Sequence, residues 1–315
     1  MKNIKIYTSE EVVLKDFPKK KYFLKPIFFP GSLTMLFASP GIGKTFTALW
    51  MAAAVAGEGY FLKWKSEARG RVLYVDGEMG LEGMQSRFNQ LIAGIDFELN
   101  SKSIDFISPD ETNQGEIPLI SDLASHAAYM KAMEKRDLVI FDNYDCLTSR
   151  SGRQNDEDVW SSSWKLIKKL RAAGKSILII HHAGKAGNQL GTSKKEQPLD
   201  FMIELKRPAT YEPSDGAAFE LKFTKVRGLK GEDVENLLVN LTECENGIKW
   251  EWKTLESDFS ERVRKMKDVG MTDGQIALET GKSLFFIKSI LRNADTEVST
   301  QGRTDFYDDT REDLF

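Results

Sequence analysis

The sequence predicts an α/β fold, with a mainly parallel central sheet, a small C-terminal helical module and an acidic tail. Three observations carry this. Four short apolar runs, Leu33–Phe37, Val72–Val75, Leu138–Phe141 and Ile177–Ile180, alternate with helical stretches near 46–56, 81–94, 123–135 and 158–173. Such alternation is expected of parallel strands covered by helices on both faces. A glycine-bearing loop, FASPGIGKTF (37–46), joins the first strand to the first helix. With 315 residues, 41% hydrophobic and 29% charged, the chain is long enough for one large domain or one large and one small.

Residues 1–30 form a lysine-rich, aromatic N-terminal arm that ends at the Pro30-Gly31 turn. Its acidic residues and missing apolar h-region are not those of a signal peptide. No run is long enough for a transmembrane helix. Cys146 and Cys244 stand apart from any CxxC pair, so neither a disulfide framework nor a zinc site is indicated. A cytoplasmic protein is expected. The net charge of −3 is neutral enough that nucleic-acid contact must come from local patches.

The loop Ala38-Ser39-Pro40-Gly41-Ile42-Gly43-Lys44-Thr45 fits a phosphate loop, with Ala38 where glycine is usual. Backbone N–H groups at a helix N-terminus attract anions. Ser39 to Phe46 are therefore expected to hold ATP. Lys44 reaches the β- and γ-phosphates, and the Thr45 hydroxyl holds Mg²⁺. Asp142, closing the run Leu138–Phe141, supplies the carboxylate on the magnesium side, with Asp145 a weaker substitute. Hydrolysis needs a group to activate water. Asp76-Gly77-Glu78 ends another strand, and Glu78 is assigned as the base because Asp76 can face the other way along the strand. His181 and His182 end a further strand, where ligands bind in open α/β sheets. His182, nearer the following loop, is expected to sense the γ-phosphate. A zinc site there lacks further ligands.

After residue 200 the pattern becomes that of antiparallel strands with turns, so the core extends over 31–254. Residues 255–296 read as helix, turn, helix, turn, helix. Thr272 caps the middle helix, Ile276 and Ala277 pack it, and Gly281 ends it. Phe285, Ile287, Ile290 and Leu291 lie on the third. This resembles a helix-turn-helix, although 259–296 holds seven basic and five acidic residues, a weak balance for DNA. From 297 to 315 there are six acidic and two basic residues, ending in Phe315. A disordered tail is expected, suited to docking on a replication partner such as a polymerase, a primase or a single-stranded-DNA-binding protein.

The order phosphate loop, strand ending in Glu, strand ending in Asp, strand ending in His, then Lys-x-Arg in FTKVRG resembles RecA-like ATPases. Within them it is most similar to the RepA-type hexameric helicases of plasmids and phages, relatives of the DnaB helicases. LTMLFASPGIGKTFTALWMAAAVA, RVLYVDGEMG with MQSRFNQL, and HHAGKAGNQLGTSKKEQPLD carry the likeness, which spans roughly 28–230. Asp142-Asn143 and Ala38 are small departures. The resemblance implies ATP-driven movement on single-stranded DNA by a homo-oligomeric, hexameric ring with active sites between subunits. It implies that Lys225 and Arg227 are fingers reaching a neighbour's γ-phosphate. Two loops are expected to face the ring channel. One carries Arg150 and Arg153; the other carries Lys185, Lys194 and Lys195. Cationic loops of this kind suit a phosphate backbone read without sequence preference. A filament-forming RecA-like recombinase or annealing protein, and an ATP-switched helicase loader or regulator, remain alternatives to the helicase.

Overall fold

The computed structural model describes residues 5–17, 19–111, 116–148, 156–183, 193–209, 211–212, 215–244 and 247–301. In chain order the elements are α1 (Ser9–Leu14), β1 (Leu33–Ala38), α2 (Lys44–Gly57), a small hairpin β2 (Tyr60–Phe61) and β3 (Trp64–Lys65), β4 (Val72–Asp76), α3 (Leu81–Gly94) and β5 (Ile104–Ile107). Then follow α4 (His126–Ala132), β6 (Leu138–Asp142), α5 (Tyr144–Thr148), α6 (Asp156–Ala172), β7 (Ser176–His182), α7 (Ser193–Glu196) and β8 (Phe201–Lys206). The chain continues through β9 (Ala218–Val226), β10 (Leu237–Cys244), β11 (Gly247–Thr254), α8 (Leu255–Asp268), α9 (Asp273–Thr280) and α10 (Leu284–Gln301).

One sheet has the order β11-β10-β9-β8-β1-β7-β6-β4-β5. From β8 to β5 all pairings are parallel, and from β8 to β11 all are antiparallel. The four apolar runs are β1, β4, β6 and β7. Because side chains alternate along a strand, β1 sends Leu33, Met35 and Phe37 into a core shared with α4, α5 and α6, and Leu36 and Ala38 into a core shared with α2 and α3. The sheet is thus sandwiched between two helical layers. α2 is buried nearly all round, as its uniformly apolar run TALWMAAAVA requires. β10 and β11 curl over that same face. Trp250 of β11 meets Trp50 of α2, Phe61 and Phe219 edge to face. A Cβ on Gly94, at the end of α3, would stand 1.6 Å from the Ile248 carbonyl, so glycine allows this crossing.

Several readings change. β8 opens the stretch taken as antiparallel, but it lies parallel to β1; its hydrophobic run FMIEL is buried between β1 and β9. Residues 123–125 form a 3-10 turn ahead of α4 rather than part of one helix over 123–135. β5, β2 and β3 were not anticipated. Within the 1–30 arm, Phe23, Leu24, Ile27 and Phe28 are buried in the α2-side core, whereas the described residues 5–17 and 19–21 are exposed. α8, α9 and α10 pack through Val263, Ile276, Ile287 and Ile290. α9 carries the expected Thr272 cap, closed by Gln275, and ends at Gly281 with φ 63°. Phe285 of α10 is 83% exposed. The tail beyond 301, with Phe315, lies outside the described residues.

Candidate functional site

Strand register assembles the site. Ala38, the last residue of β1, pairs with His182 of β7, and Asp76 of β4 pairs with Asp142 of β6. β7 separates β1 from β6. All four ends lie on one edge of the sheet, the edge where open α/β sheets bind ligands. A cavity of about 340 Å³ opens there, walled by Gly43, Lys44, Thr45, Glu78, Asp142 and His182. The structure therefore brings together residues from four separate stretches of sequence.

The phosphate loop turns into α2 at Gly43, whose φ of 112° suits glycine. A Cβ there would meet the Phe219 ring at an ordinary 3.5 Å, so backbone conformation rather than space calls for glycine. Of the loop residues, Pro40 and Gly41 also border the cavity, while Ile42 is buried in the core. Lys44 is buried, and its Nζ donates to the carbonyls of Ala38 at 3.1 Å and Ser39 at 3.0 Å. It also stands 3.3 Å from His182 Nδ1. Burial lowers the Lys44 pKa, while Asp142, Glu78 and Asp145 oppose the shift. An ammonium held by two carbonyl dipoles beside three carboxylates has the chemistry to meet phosphate oxygens at the cavity.

Asp142 is buried and accepts the Tyr74 hydroxyl at 2.6 Å and the Thr45 hydroxyl. Burial pushes its carboxyl above the ordinary range, and these two hydrogen bonds pull it back. A desolvated carboxylate paired with a threonine hydroxyl is a fitting ligand set for a hard cation. Among the described residues no group of three His, Cys, Asp or Glu is placed to hold a metal. A magnesium ion held by Thr45 and Asp142 would need its other ligands from phosphate and water. These residues fit a magnesium–nucleotide complex; the ion, when bound, neutralises charge on the phosphate oxygens.

Asp76 and Glu78 have different tasks. Asp76 is buried, and its carboxylate accepts the backbone N–H groups of Glu78, Met79 and Gly80 at 3.1, 3.0 and 2.8 Å. It shapes the turn and has little capacity left for water. The Glu78 side chain is 59% exposed and faces the cavity, with His182 Nε2 at 4.0 Å. The two histidines divide similarly. His181 is buried, stacks on Tyr144 and engages the His182 carbonyl at 2.7 Å. His182 alone of the pair borders the cavity.

Three polar residues at this edge escaped the sequence reading. Asn143 donates to Glu78 Oε2 at 2.6 Å. Arg87 of α3 borders the cavity with its guanidinium over the Phe46 ring. Arg207 donates to the Gly41 carbonyl at 3.3 Å and lies 3.8 Å over the Tyr211 ring. Arg87 had a faint signal, its place in MQSRFNQL nine residues after Glu78; Arg207, 166 residues from Gly41, had none.

Lys225 and Arg227 are not part of this cavity. Val226, between them, pairs with Phe201 at the start of β8, on the opposite edge of the sheet. Lys225 donates to the carbonyls of Glu196 and Gln197, and Arg227 donates to Gln197 at 2.7 Å. Burial, aided by the Arg227 charge, lowers the Lys225 pKa. Of the residues expected to meet DNA, Arg150, Arg153 and Lys185 lie outside the described residues, as does the side chain of Lys194. Lys195 is a correction. It is 5% exposed with its ammonium over the Tyr144 ring, so its charge is spent inside the protein.

A family model described as AAA domain matches residues 7–188, more than half of the chain. No curated protein sequence matches. Among solved structures, a KaiC-like protein from the hyperthermophilic archaeon Pyrococcus horikoshii OT3 aligns at TM-score 0.51 and 13% identity, over 73% of this chain and 93% of that one. The flagellar accessory protein FlaH from Methanocaldococcus jannaschii aligns at 0.49 and 16%, over 70% and 90%. The ATPase domain of G40P aligns at 0.47 and 16%, over 66% and 81%. The KaiC-like structure shares the fold of this chain.

Proposed function

The chain belongs to the AAA domain family, with a RecA-like P-loop ATPase core, and from that premise we propose that it is an ATP-driven DNA helicase or translocase working as a ring on single-stranded DNA. The observation that carries the reading is the separation of two half-sites. Lys44, Thr45, Asp142, Glu78 and His182 share one cavity, and Lys225 with Arg227 sits on the opposite edge of the same sheet. A finger placed there cannot serve its own chain's nucleotide. It can serve the nucleotide of the next copy, which makes an assembly with sites between subunits the economical arrangement.

Within one site we assign the roles as follows. Lys44 and the loop backbone bind the phosphates, and Thr45 and Asp142 hold the magnesium ion. Glu78 takes the proton of the attacking water, His182 senses the γ-phosphate, and Arg227 from the neighbour stabilises charge in the transition state. The helicase step rests on the sequence resemblance to RepA-type helicases. Its partners are single-stranded DNA and, through the tail, a replication protein.

Electron microscopy with Mg²⁺, a non-hydrolysable ATP analogue and single-stranded DNA tests the assembly, paired with ATPase assays with and without DNA. Closed rings with DNA-stimulated hydrolysis support the reading. Filaments favour the recombinase, and monomers without stimulation favour the loader or regulator.

A further inference from the structure

Hydrogen-bond parity at His182 points to a device that links phosphate binding to Glu78. Lys44 Nζ has three N–H donors. Two go to the Ala38 and Ser39 carbonyls, and the third faces His182 Nδ1 at 3.3 Å. On the other side of the same ring, His182 Nε2 lies 3.1 Å from Asn143 Nδ2. A neutral imidazole has one lone pair for hydrogen bonding and one N–H. It faces two donors here and can accept from one of them.

The Asn143 amide cannot relieve this by flipping. Its Oδ1 accepts the Cys146 N–H at 3.0 Å, and its Nδ2 donates to Glu78 Oε2 at 2.6 Å. Reversed, the amide would set oxygen against a carboxylate and nitrogen against a backbone N–H. Asn143 is 1% exposed, so no solvent-facing alternative is at hand.

We infer that His182 is a two-position proton switch, and that Asn143 is the positioning residue through which it orients Glu78. This deepens the ATPase reading and rests on Glu78 being the base. Before nucleotide binds, Lys44 occupies Nδ1 and the ring proton sits on Nε2, opposed to the Asn143 amide. The phosphates then draw Lys44 away. Nε2 gives its proton to water, Nδ1 takes one up, and the charge of the ring is unchanged. Nε2 now accepts the second amide hydrogen of Asn143, while the first stays on Glu78. Asn143, already bonded to Glu78 and Cys146, is then held from a third side by His182, so its grip on Glu78 stiffens when phosphate is present. The protein thereby steadies its base in response to its substrate.

The test uses the full chain labelled with ¹⁵N-histidine, at a pH where imidazole is neutral. His182→Gln assigns the His182 ring signals. The parent protein is read free and with Mg²⁺ and a non-hydrolysable ATP analogue, with binding followed by calorimetry. The expected result is a proton on Nε2 in the free protein and on Nδ1 with the analogue bound. The same tautomer in both states overturns the switch, and this measurement needs no variant to fold. Asn143→Ala is expected to lower kcat about 10- to 100-fold, the cost of a misplaced catalytic group, with KM changed less than about twofold. An unchanged kcat, or a loss confined to KM, overturns the positioning role. If Glu78→Gln hydrolyses ATP at the parent rate, the assignment of the base fails, while the tautomer measurement still decides the switch.

Discussion

The two edges of the central sheet each hold basic residues fastened to backbone carbonyls, yet they are built differently. At the phosphate edge Lys44 is buried, and Thr45, Asp142, Glu78 and His182 lie around it. At the far edge Lys225 and Arg227 are fastened to the carbonyls of Glu196 and Gln197, and the Arg227 side chain is 56% exposed, with Asp200 at 4.0 Å. The first edge gathers a lysine, a threonine hydroxyl, two carboxylates and a histidine around one cavity. The second has two cations held by carbonyls, with Asp200 beside them and no part in that cavity. The difference teaches that this sheet gathers its site-like residues at one edge, while Lys225 and Arg227 stand apart from that cavity and, on the proposed reading, can serve only another copy.

The largest expected effect breaks the first edge. Lys44→Ala removes the group that neutralises the phosphates, so hydrolysis falls to background and nucleotide affinity drops. Coupled-enzyme ATPase assays and calorimetry check it, and a variant that turns over like the parent refutes the site. Arg227→Ala breaks the second edge. Hydrolysis is expected to fall about 10³-fold or more, the range of arginine-finger losses, with nucleotide affinity retained. Mixing Arg227→Ala with Lys44→Ala subunits should restore part of the activity, because an intact cradle can then meet an intact finger. Two variants that assemble together without recovery would refute a shared site.

The smaller effect of Glu78→Gln sharpens the first edge. Loss of a general base costs about 10²–10⁴-fold in rate, so the variant should bind ATP normally and hydrolyse it slowly. Asp76→Asn is the control. Asp76 gathers three backbone N–H groups, so its loss should appear first as lower thermal stability. If Asp76→Asn is inactive at full stability while Glu78→Gln is active, the two roles are exchanged.

The two edges also differ in how far the sequence announces them. The phosphate edge is built from strand ends, and apolar runs closing on Lys-Thr, Glu, Asp and His are visible one by one. Strand register then does the assembly, setting Ala38 beside His182 and Asp76 beside Asp142. Asn143, Arg87 and Arg207 were not legible as site residues, because their partners lie 65 residues away for the Asn143–Glu78 contact and 166 for Arg207–Gly41. Lys195 shows the converse failure. A lysine in a polar, glycine-bearing stretch reads as solvated, and only the fold places the Tyr144 ring beneath it. β8 was legible as a strand but not in its direction, since buried apolar runs of that length pair either way.

The smallest expected effect on catalysis lies away from both edges, in α8, α9 and α10. Their contacts centre on Val263, Ile276 and Ile287, each buried. Truncating Ile276 to alanine removes three methyl-sized groups from that cluster and should cost about 2–5 kcal/mol where the helices pack. α9 is secured independently by its Thr272–Gln275 capping box and by Gly281, so the helix itself should persist while its packing loosens. Hydrogen exchange across 255–292 should rise in Ile276→Ala, with exchange across β1, β6 and β7 unchanged. Basal ATPase should stay within about twofold of the parent, because none of the cavity residues touches this cluster. An ATPase loss that tracks the local loosening would show that these helices support the nucleotide site. A simultaneous rise in exchange throughout the sheet would show that the three helices and the sheet unfold as one unit.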